Sequence, residues 1–225
     1  MRSVVRLSSS LFALFMFAVP PAALAGFDQG VEAFENEDYA QALQQFLPLA
    51  KSGQPAAMTY VGRINEEQDK LAEAAAWYLK AAQKGYAEAQ TRLGNLYDAG
   101  AGVAQDQARA VEWYGKAAAQ GDDEAQLALG EHAEDDLNDI STAQKWYEKA
   151  AAQSNATAQY RLGLLLISDE DSVTRDVPRA WMLFTLAAEQ GIDDADRAGD
   201  VLELEMEPVE LRQAKTLLEQ WKKTH

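Results

Sequence analysis

The residues of this chain with the most obvious chemical potential are two histidines and two runs of acidic side chains. His225 is the last residue, and His132 has no second histidine at the spacing of a zinc site. The acidic runs 134–136 and 169–171 lack the alternating oxygen ligands, central glycine and terminal glutamate of a calcium loop. We therefore predict no metal and no cofactor. We expect His132 to be packed and hydrogen-bonded, and both acidic runs to be solvated.

Motifs for nucleophilic catalysis are also missing from the sequence. No Gly-x-Ser-x-Gly segment occurs, and Gly100-Ala101-Gly102 lacks the further glycine of a phosphate-binding loop. No serine after residue 25 is followed three residues later by lysine, the pairing expected of a serine acylation site. The absence of cysteine excludes disulfides, thiol catalysis and cysteine-bound metals. These observations favour a binding protein over an enzyme.

A motif repeated along the chain indicates which elements position these side chains. Ala-Gln, two variable residues and Leu-Gly begin at Ala89, Ala125 and Ala158, and looser copies flank them. A small residue marks each copy, and the markers fall 32 to 36 residues apart, at Gly30, Gly62, Gly94, Gly130, Gly163 and Gly199. A period of this length is typical of a structural unit stacked on itself, because a single unit cannot bury its own apolar face.

The third copy indicates how one unit forms two helices. Its first half carries apolar residues at helical spacing over 89–97, and Gly100 is suited to end that helix. Asp106 is suited to cap the second helix, whose apolar face carries the aromatic pair 113–114. The marker Gly94 has no side chain, so we expect the two helices to approach closely there.

The aromatic pair recurs in the second helix of other units, as Trp77-Tyr78, Trp146-Tyr147 and Leu183-Phe184. We expect both members of each pair to lie in the core. On this hypothesis, Trp146→Ala lowers the free energy of unfolding by about 3–5 kcal/mol, the range for truncating a buried large aromatic.

These residues resemble the Sel1-like repeat family, a relative of the tetratricopeptide repeats. The third copy matches the family pattern throughout, from Leu93-Gly94 to Trp113-Tyr114 and Gly121, whereas copies one, two and four lack its Gly-x-Gly-Val loop. The resemblance implies an all-α fold, a right-handed α-solenoid superhelix of about six helix-turn-helix repeats that binds proteins or peptides. The units would span 26–53, 54–85, 86–121, 122–154, 155–191 and 192–225.

The first 25 residues lie outside the repeats and are typical of a cleavable secretory signal. Arg2 and Arg6 precede an apolar run over 11–19, and the small residues at 23 and 25 predict cleavage before Gly26. The run has about half of the ~20 apolar residues that a membrane-spanning helix needs, which argues against a retained anchor. We expect a periplasmic protein of a Gram-negative bacterium, with secretion into the medium as the alternative.

The chain is strongly acidic, with a formal net charge of −16 and every Asp and Glu beyond the predicted signal. Such a surface repels phosphate backbones and anionic membranes, so we expect no nucleic-acid partner and no stable membrane insertion. The charge either selects a protein or peptide partner of basic and apolar character, or serves only to keep the repeats soluble.

One unit differs from the others on the surface where a partner would bind. In tetratricopeptide-like stacks the first helix of each unit lines the concave surface, and in the fifth copy its outward positions are apolar. We predict a partner surface formed by Tyr160, Leu164 and Ile167, extended by Leu127 and flanked by Glu131, Asp196 and Asp200. The alternative is that the apolar stripe is core, buried by curvature of the stack or by the segment 202–221 folding back.

Three classes of function remain open. The resemblance favours a non-catalytic periplasmic adaptor or regulator that captures another cell-envelope protein. A second class is an immunity protein that neutralises a toxin delivered into the periplasm, a role that exported Sel1-like proteins also have. A third class is a β-lactam or cell-wall hydrolase, since one branch of the family is described as penicillin-binding. That branch is rich in paired cysteines, which this chain lacks, so we predict no enzyme.

Overall fold

The computed structural model describes residues 21–168 and 172–225, with side chains from Gly26 onward. The predicted signal therefore lies outside the described residues except for its last five, and the predicted cleavage position before Gly26 falls within the first helix. The acidic run 169–171 is also outside the described residues.

Helices account for the regular structure of the part of the chain that the structure describes. They are α1 (Pro21–Glu35), α2 (Tyr39–Lys51), α3 (Pro55–Glu67), α4 (Leu71–Ala82), α5 (Ala87–Ala99), α6 (Gln107–Ala118), α7 (Asp123–Glu131), α8 (Ile140–Ala151), α9 (Ala156–Ile167), α10 (Val177–Glu189), α11 (Asp193–Glu205) and α12 (Pro208–Thr224). A π-helical turn, His132–Asp136, follows α7. Within the described ranges, no helix has both the length and the apolarity needed to cross a membrane.

The helices stack in chain order, each against the next, from α1 to α11. Each of the first five units is thus a helical hairpin that also packs on its neighbours. The predicted all-α solenoid is confirmed.

Two helix ends in the third unit are fixed by local residues, as the sequence predicts. The Asp106 carboxylate accepts a hydrogen bond of 3.1 Å from the backbone N–H of Arg109, and so caps α6. Gly100 ends α5 in the left-handed conformation, with φ of 68°.

Each hairpin closes with an aromatic ring seated on the marker glycine. A methyl group at Gly94 would overlap the ring of Tyr114, so only glycine allows the two helices this close approach. The same arrangement pairs Gly30 with Phe46, Gly62 with Tyr78, Gly130 with Tyr147 and Gly163 with Phe184. The close approach predicted at Gly94 is confirmed, and the same approach occurs in four other units.

The expectation that both members of the aromatic pair are core is wrong for the tryptophans. Tyr147 is fully buried, but Trp146 is half-buried and the ammonium of Lys149 lies 3.9 Å from its ring centroid. Consecutive residues point about 100° apart around a helix, so both cannot face the same neighbouring helix. Trp77 and Trp113 are placed in the same way, beneath Lys80 and Lys116.

The last helix departs from the repeat. α12 packs mainly against α10, so that α10 is covered by α9, α11 and α12. Ala214 is fully buried in this contact, and the Lys222 ammonium lies 2.6 Å from the Glu189 carboxylate. The marker Gly199 therefore meets Cβ of Phe184 instead of a ring from its own unit. The sixth unit is not a hairpin equivalent to the other five.

Candidate functional site

Buried glutamines join the units and hold the surface between them in a fixed register. Gln126 donates from Nε2 to the carbonyl of Ala118 in the preceding unit at 3.4 Å, and its Oε1 accepts from Gln153 at 3.0 Å. Gln90 and Gln159 make the equivalent pairs of hydrogen bonds. These are the glutamines of the Ala-Gln motif. From the sequence, the motif served only to mark the repeats, and the hydrogen bonding of its glutamine between units was not predicted. The recurrence of this glutamine in three units was the signal that could have indicated it.

A second recurring arrangement joins a tyrosine, an acid and an arginine across neighbouring units. The Tyr147 hydroxyl donates to Glu134 at 2.6 Å, and Arg161 of the next unit lies 3.7 Å from the same carboxylate. Burial raises the pKa of Tyr147 well above its usual value, and the hydrogen bond to Glu134 adds to this. Glu134 is therefore not merely solvated, as expected for its acidic run, because it accepts from a core residue.

The same network joins the second and third units. The Tyr78 hydroxyl donates to Glu66 at 2.5 Å, and Arg92 lies 3.4 Å from that carboxylate. We call this arrangement the tyrosine–acid–arginine network.

The network is incomplete between the third and fourth units. The Tyr114 hydroxyl donates to Asn95 at 2.8 Å, Asp98 occupies the sequence position of the acid, and Ala128 occupies that of the arginine. A cavity of about 540 Å³ lies at this junction. We call it the α5–α7 cavity, and its lining includes Asn95, Asp98, Tyr114, Ala128, Glu131 and Arg161.

The α5–α7 cavity has an acidic lining. Burial raises the pKa of Glu131; Arg161 opposes the shift, and Asp135, Glu134 and Asp98 add to it. The His132 ring lies 2.6 Å from Asp136 on the same rim, so His132 is hydrogen-bonded as expected.

Chemically, such a lining is suited to hold a cation. Within the described ranges, no group of three or more His, Asp or Glu side chains has the arrangement of a metal site.

The apolar part of the predicted partner surface lies on α9 and is half-buried. Tyr160, Leu164 and Ile167 pack against the core with one side, and the Tyr160 ring centroid lies 5.9 Å from that of Phe184. Ile167 stands at the position where Glu66 and Glu134 accept from a tyrosine. Phe184 has no hydroxyl to satisfy, so an apolar residue at 167 follows from packing alone.

The remaining predicted residues lie on either side of α9 in the stack. Leu127 on α7 is half-buried, and Glu131 lines the α5–α7 cavity at 3.8 Å from Arg161. Asp196 and Asp200 are exposed on α11, beside a second cavity of about 340 Å³ that is also lined by Trp181 and Glu203. The structure thus divides the predicted surface into an apolar stripe on α9, an acidic cavity lined mainly by α5, α6 and α7, and a second acidic cavity lined by α10 and α11.

Comparison with protein families identifies the repeat. The Sel1 repeat model matches residues 55–86, 87–122, 123–155 and 156–192, which together make up more than half of the chain. The protein belongs to the Sel1 repeat family. The four matched segments begin where α3, α5, α7 and α9 begin. Sel1 repeats bind other proteins.

Solved structures of bacterial proteins share the fold of this Sel1 repeat protein. A Sel1 repeat protein from Oxalobacter formigenes is 28% identical, covers 77% of this chain and 73% of its own, and superposes with a TM-score of 0.70. The protective antigen c5321 of uropathogenic Escherichia coli is 25% identical, with a TM-score of 0.61. The match covers 88% of this chain and 53% of c5321, so the chain spans about half the length of that antigen.

A more distant structure shows likeness of fold alone. The immunity protein Pa5087 of Pseudomonas aeruginosa is 17% identical over 79% of this chain and 69% of its own, with a TM-score of 0.56. Comparison with curated proteins gives no match.

Proposed function

We propose that this Sel1 repeat protein is a non-catalytic scaffold of the bacterial periplasm that binds a segment of another cell-envelope protein. The observation that carries the proposal is the half-exposed apolar stripe on α9, together with the acidic cavities lined by helices that precede and follow α9 in the stack. Apolar anchors beside acidic groups suit an amphipathic partner with Lys or Arg at its edges. Burial of the anchors supplies affinity, and charge sets register and association rate.

The course of the last helix supports an accessible stripe. The alternative for the stripe was burial by the segment 202–221, but α12 packs mainly against α10 rather than α9. Leu164 and Ile167 are half-exposed in the presence of all the described helices. Partner binding would cover that side.

Binding is tested by placing a photo-reactive amino acid at position 164 and irradiating living cells. We expect one specific adduct with an envelope protein from position 164. The control places the same group at position 119, the exposed end of α6, where we expect no adduct. Equal adducts from both positions, or none from 164, contradict the proposed surface. An adduct with a delivered toxin would instead identify an immunity protein.

The periplasmic location rests on the pattern of the first 25 residues. Cell fractionation with N-terminal sequencing tests it, and the expected product is a soluble periplasmic protein that begins at Gly26. Retention in the inner membrane, or a start far from Gly26, contradicts this location.

The absence of catalysis is tested with purified protein. We expect no turnover of β-lactams or of cell-wall fragments. A rate proportional to protein concentration would contradict a purely binding role.

A further inference from the structure

One position in the repeat lacks an arginine that three other units supply. Two residues before the marker glycine, units three, five and six carry Arg92, Arg161 and Arg197. The fourth unit carries Ala128 at this position. An alanine there removes both a charge and most of a long side chain.

The arginines of units three and five share one structural task. Arg92 lies 3.4 Å from Glu66, and Arg161 lies 3.7 Å from Glu134, in each case a carboxylate of the preceding unit. Both carboxylates also accept a hydrogen bond from a buried tyrosine. A guanidinium is thus the group that this chain itself places against the acid at two equivalent junctions.

The arginine of unit six shows that this pairing depends on the acid. The preceding unit has Ile167 at the acid position, and Arg197 instead pairs with Asp194 on its own helix. The junction of units three and four has the opposite mismatch. There the acid, Asp98, is kept and the arginine is lost.

The missing arginine coincides with open space. Asp98 and Ala128 both line the α5–α7 cavity of about 540 Å³. The Tyr114 hydroxyl donates to Asn95, and the Asp98 carboxylate has no ion pair within the described part of the chain. Arg161 at the rim is shared between Glu131 and Glu134, so it does not neutralise Asp98.

We propose that the α5–α7 cavity binds the guanidinium of an arginine side chain on the partner segment, which supplies to Asp98 the group that is missing at this junction because residue 128 is alanine. This inference rests on the proposed function and names the chemistry of the partner. A planar guanidinium can donate several hydrogen bonds to carboxylate oxygens at once, whereas an ammonium acts as a point charge. The pairs Arg92–Glu66 and Arg161–Glu134 show the geometry expected for this contact.

The probe for this site is Nα-acetyl-arginine methylamide, titrated into the Gly26–His225 protein and followed by amide NMR shifts. We expect saturable shifts at Asp98, Ala128 and Glu131. The citrulline counterpart has the same shape without the charge. We expect its affinity to be lower than that of the arginine probe by about tenfold or more. The lysine counterpart is expected to bind more weakly than arginine. Equal binding of citrulline or lysine overturns the assignment.

Two variants test the site within the chain. Ala128→Arg supplies the missing guanidinium, so we expect it to abolish probe binding. Asp98→Asn alters only an exposed side chain and is expected to weaken probe binding severalfold with helicity unchanged. Asp28→Asn is the matched control on α1, with binding unchanged. Wild-type affinity in Ala128→Arg and Asp98→Asn overturns the inference.

The failures of the inference and of the proposed function can be told apart. If position 164 captures a partner but the arginine probe does not bind, the cavity assignment is wrong and the scaffold function stands. If no partner is captured, the function fails, and the probe titration still decides the chemistry of the cavity.

Discussion

The two residues of each aromatic pair differ in what they contribute to stability. Tyr147 is fully buried against Gly130, whereas Trp146 is half-buried beneath Lys149. We expect Tyr147→Ala to lower the free energy of unfolding by about 3–5 kcal/mol, as for a buried large aromatic. Trp146→Ala is expected to cost about 1–2 kcal/mol. Urea denaturation of both variants measures the difference, and equal losses would contradict these roles.

Glu131 makes stability depend on pH in a direction that follows from its surroundings. Burial raises its pKa in the folded protein, so the folded state binds the proton more tightly and stability falls as pH rises through that pKa. Glu131→Gln removes this cost. The gain at about pH 7 is expected to stay below about 1 kcal/mol, because the side chain is 38% exposed and paired with Arg161.

Thermal unfolding at several pH values measures the effect of Glu131→Gln. The gain is expected to vanish below about pH 4, where glutamate is protonated in both states. A variant less stable than wild type at about pH 7 would show that the pair with Arg161 outweighs the burial of the charge.

At the scale of the elements, the glutamine hydrogen bonds set how one hairpin sits on the next. Gln126→Met keeps the size of the side chain and removes the bonds to Ala118 and Gln153. Met58 occupies the same position in the second unit, so methionine fits the helix. We expect a loss of about 1–3 kcal/mol, because two hydrogen bonds are removed at about 0.5–1.5 kcal/mol each, while the Ala118 carbonyl keeps the bond from the Gly121 N–H. Urea denaturation measures it.

Gln153→Met is the matched control for this interface. Gln153 is exposed and donates the bond to Gln126, so its loss is expected to cost less than about 1 kcal/mol. If Gln126→Met costs no more than Gln153→Met, the buried glutamines do not stabilise the stack.

Local features of the helices could be predicted from the sequence. Helix periodicity, the cap at Asp106 and the left-handed Gly100 depend on neighbouring residues, which the sequence displays directly. The seating of α12 on α10 could not be predicted, because it depends on which distant apolar face offers the better packing.

The candidate site was predictable only in part, for the same reason. The apolar positions at 160, 164 and 167 are visible as a pattern, but the α5–α7 cavity arises from Ala128 and Asp98 on different units. Aligning the units on their marker glycines would have shown the missing arginine at 128. It would not have shown that the space beside Asp98 stays open.

At the scale of the whole molecule, stability depends on packing between neighbouring units, and association with a partner depends on the net charge. Each unit packs mainly on the next, as in other solenoids. We therefore expect a substitution at one end of the stack to leave the structure of the other end unchanged. The formal net charge of −16 extends the attraction of a basic partner beyond direct contact. Substitutions at opposite ends of the stack can therefore separate the effect of local charge at the binding surface from the effect of the net charge.

Charge reversal beside the α9 stripe is expected to slow partner association. Asp196→Lys with Asp200→Lys should lower the association rate and its dependence on salt, with little change in dissociation. Asp28→Lys with Glu32→Lys, both exposed on α1, changes the net charge equally at the other end of the stack. Stopped-flow or surface-binding kinetics compare the two. Equal slowing by both pairs would show that net charge alone steers the partner.

Removal of the central anchor is expected to weaken binding itself. Tyr160→Ala should cost about 2 kcal/mol or more of binding free energy, because an aromatic at the centre of an interface carries a large share of the affinity. Tyr160 also packs on Phe184, so thermal stability must be measured on the same samples. Tyr160→Phe keeps the ring and is the matched control. If Tyr160→Ala loses stability while its folded fraction binds the partner with wild-type affinity, Tyr160 is a core residue and the partner contacts a different face.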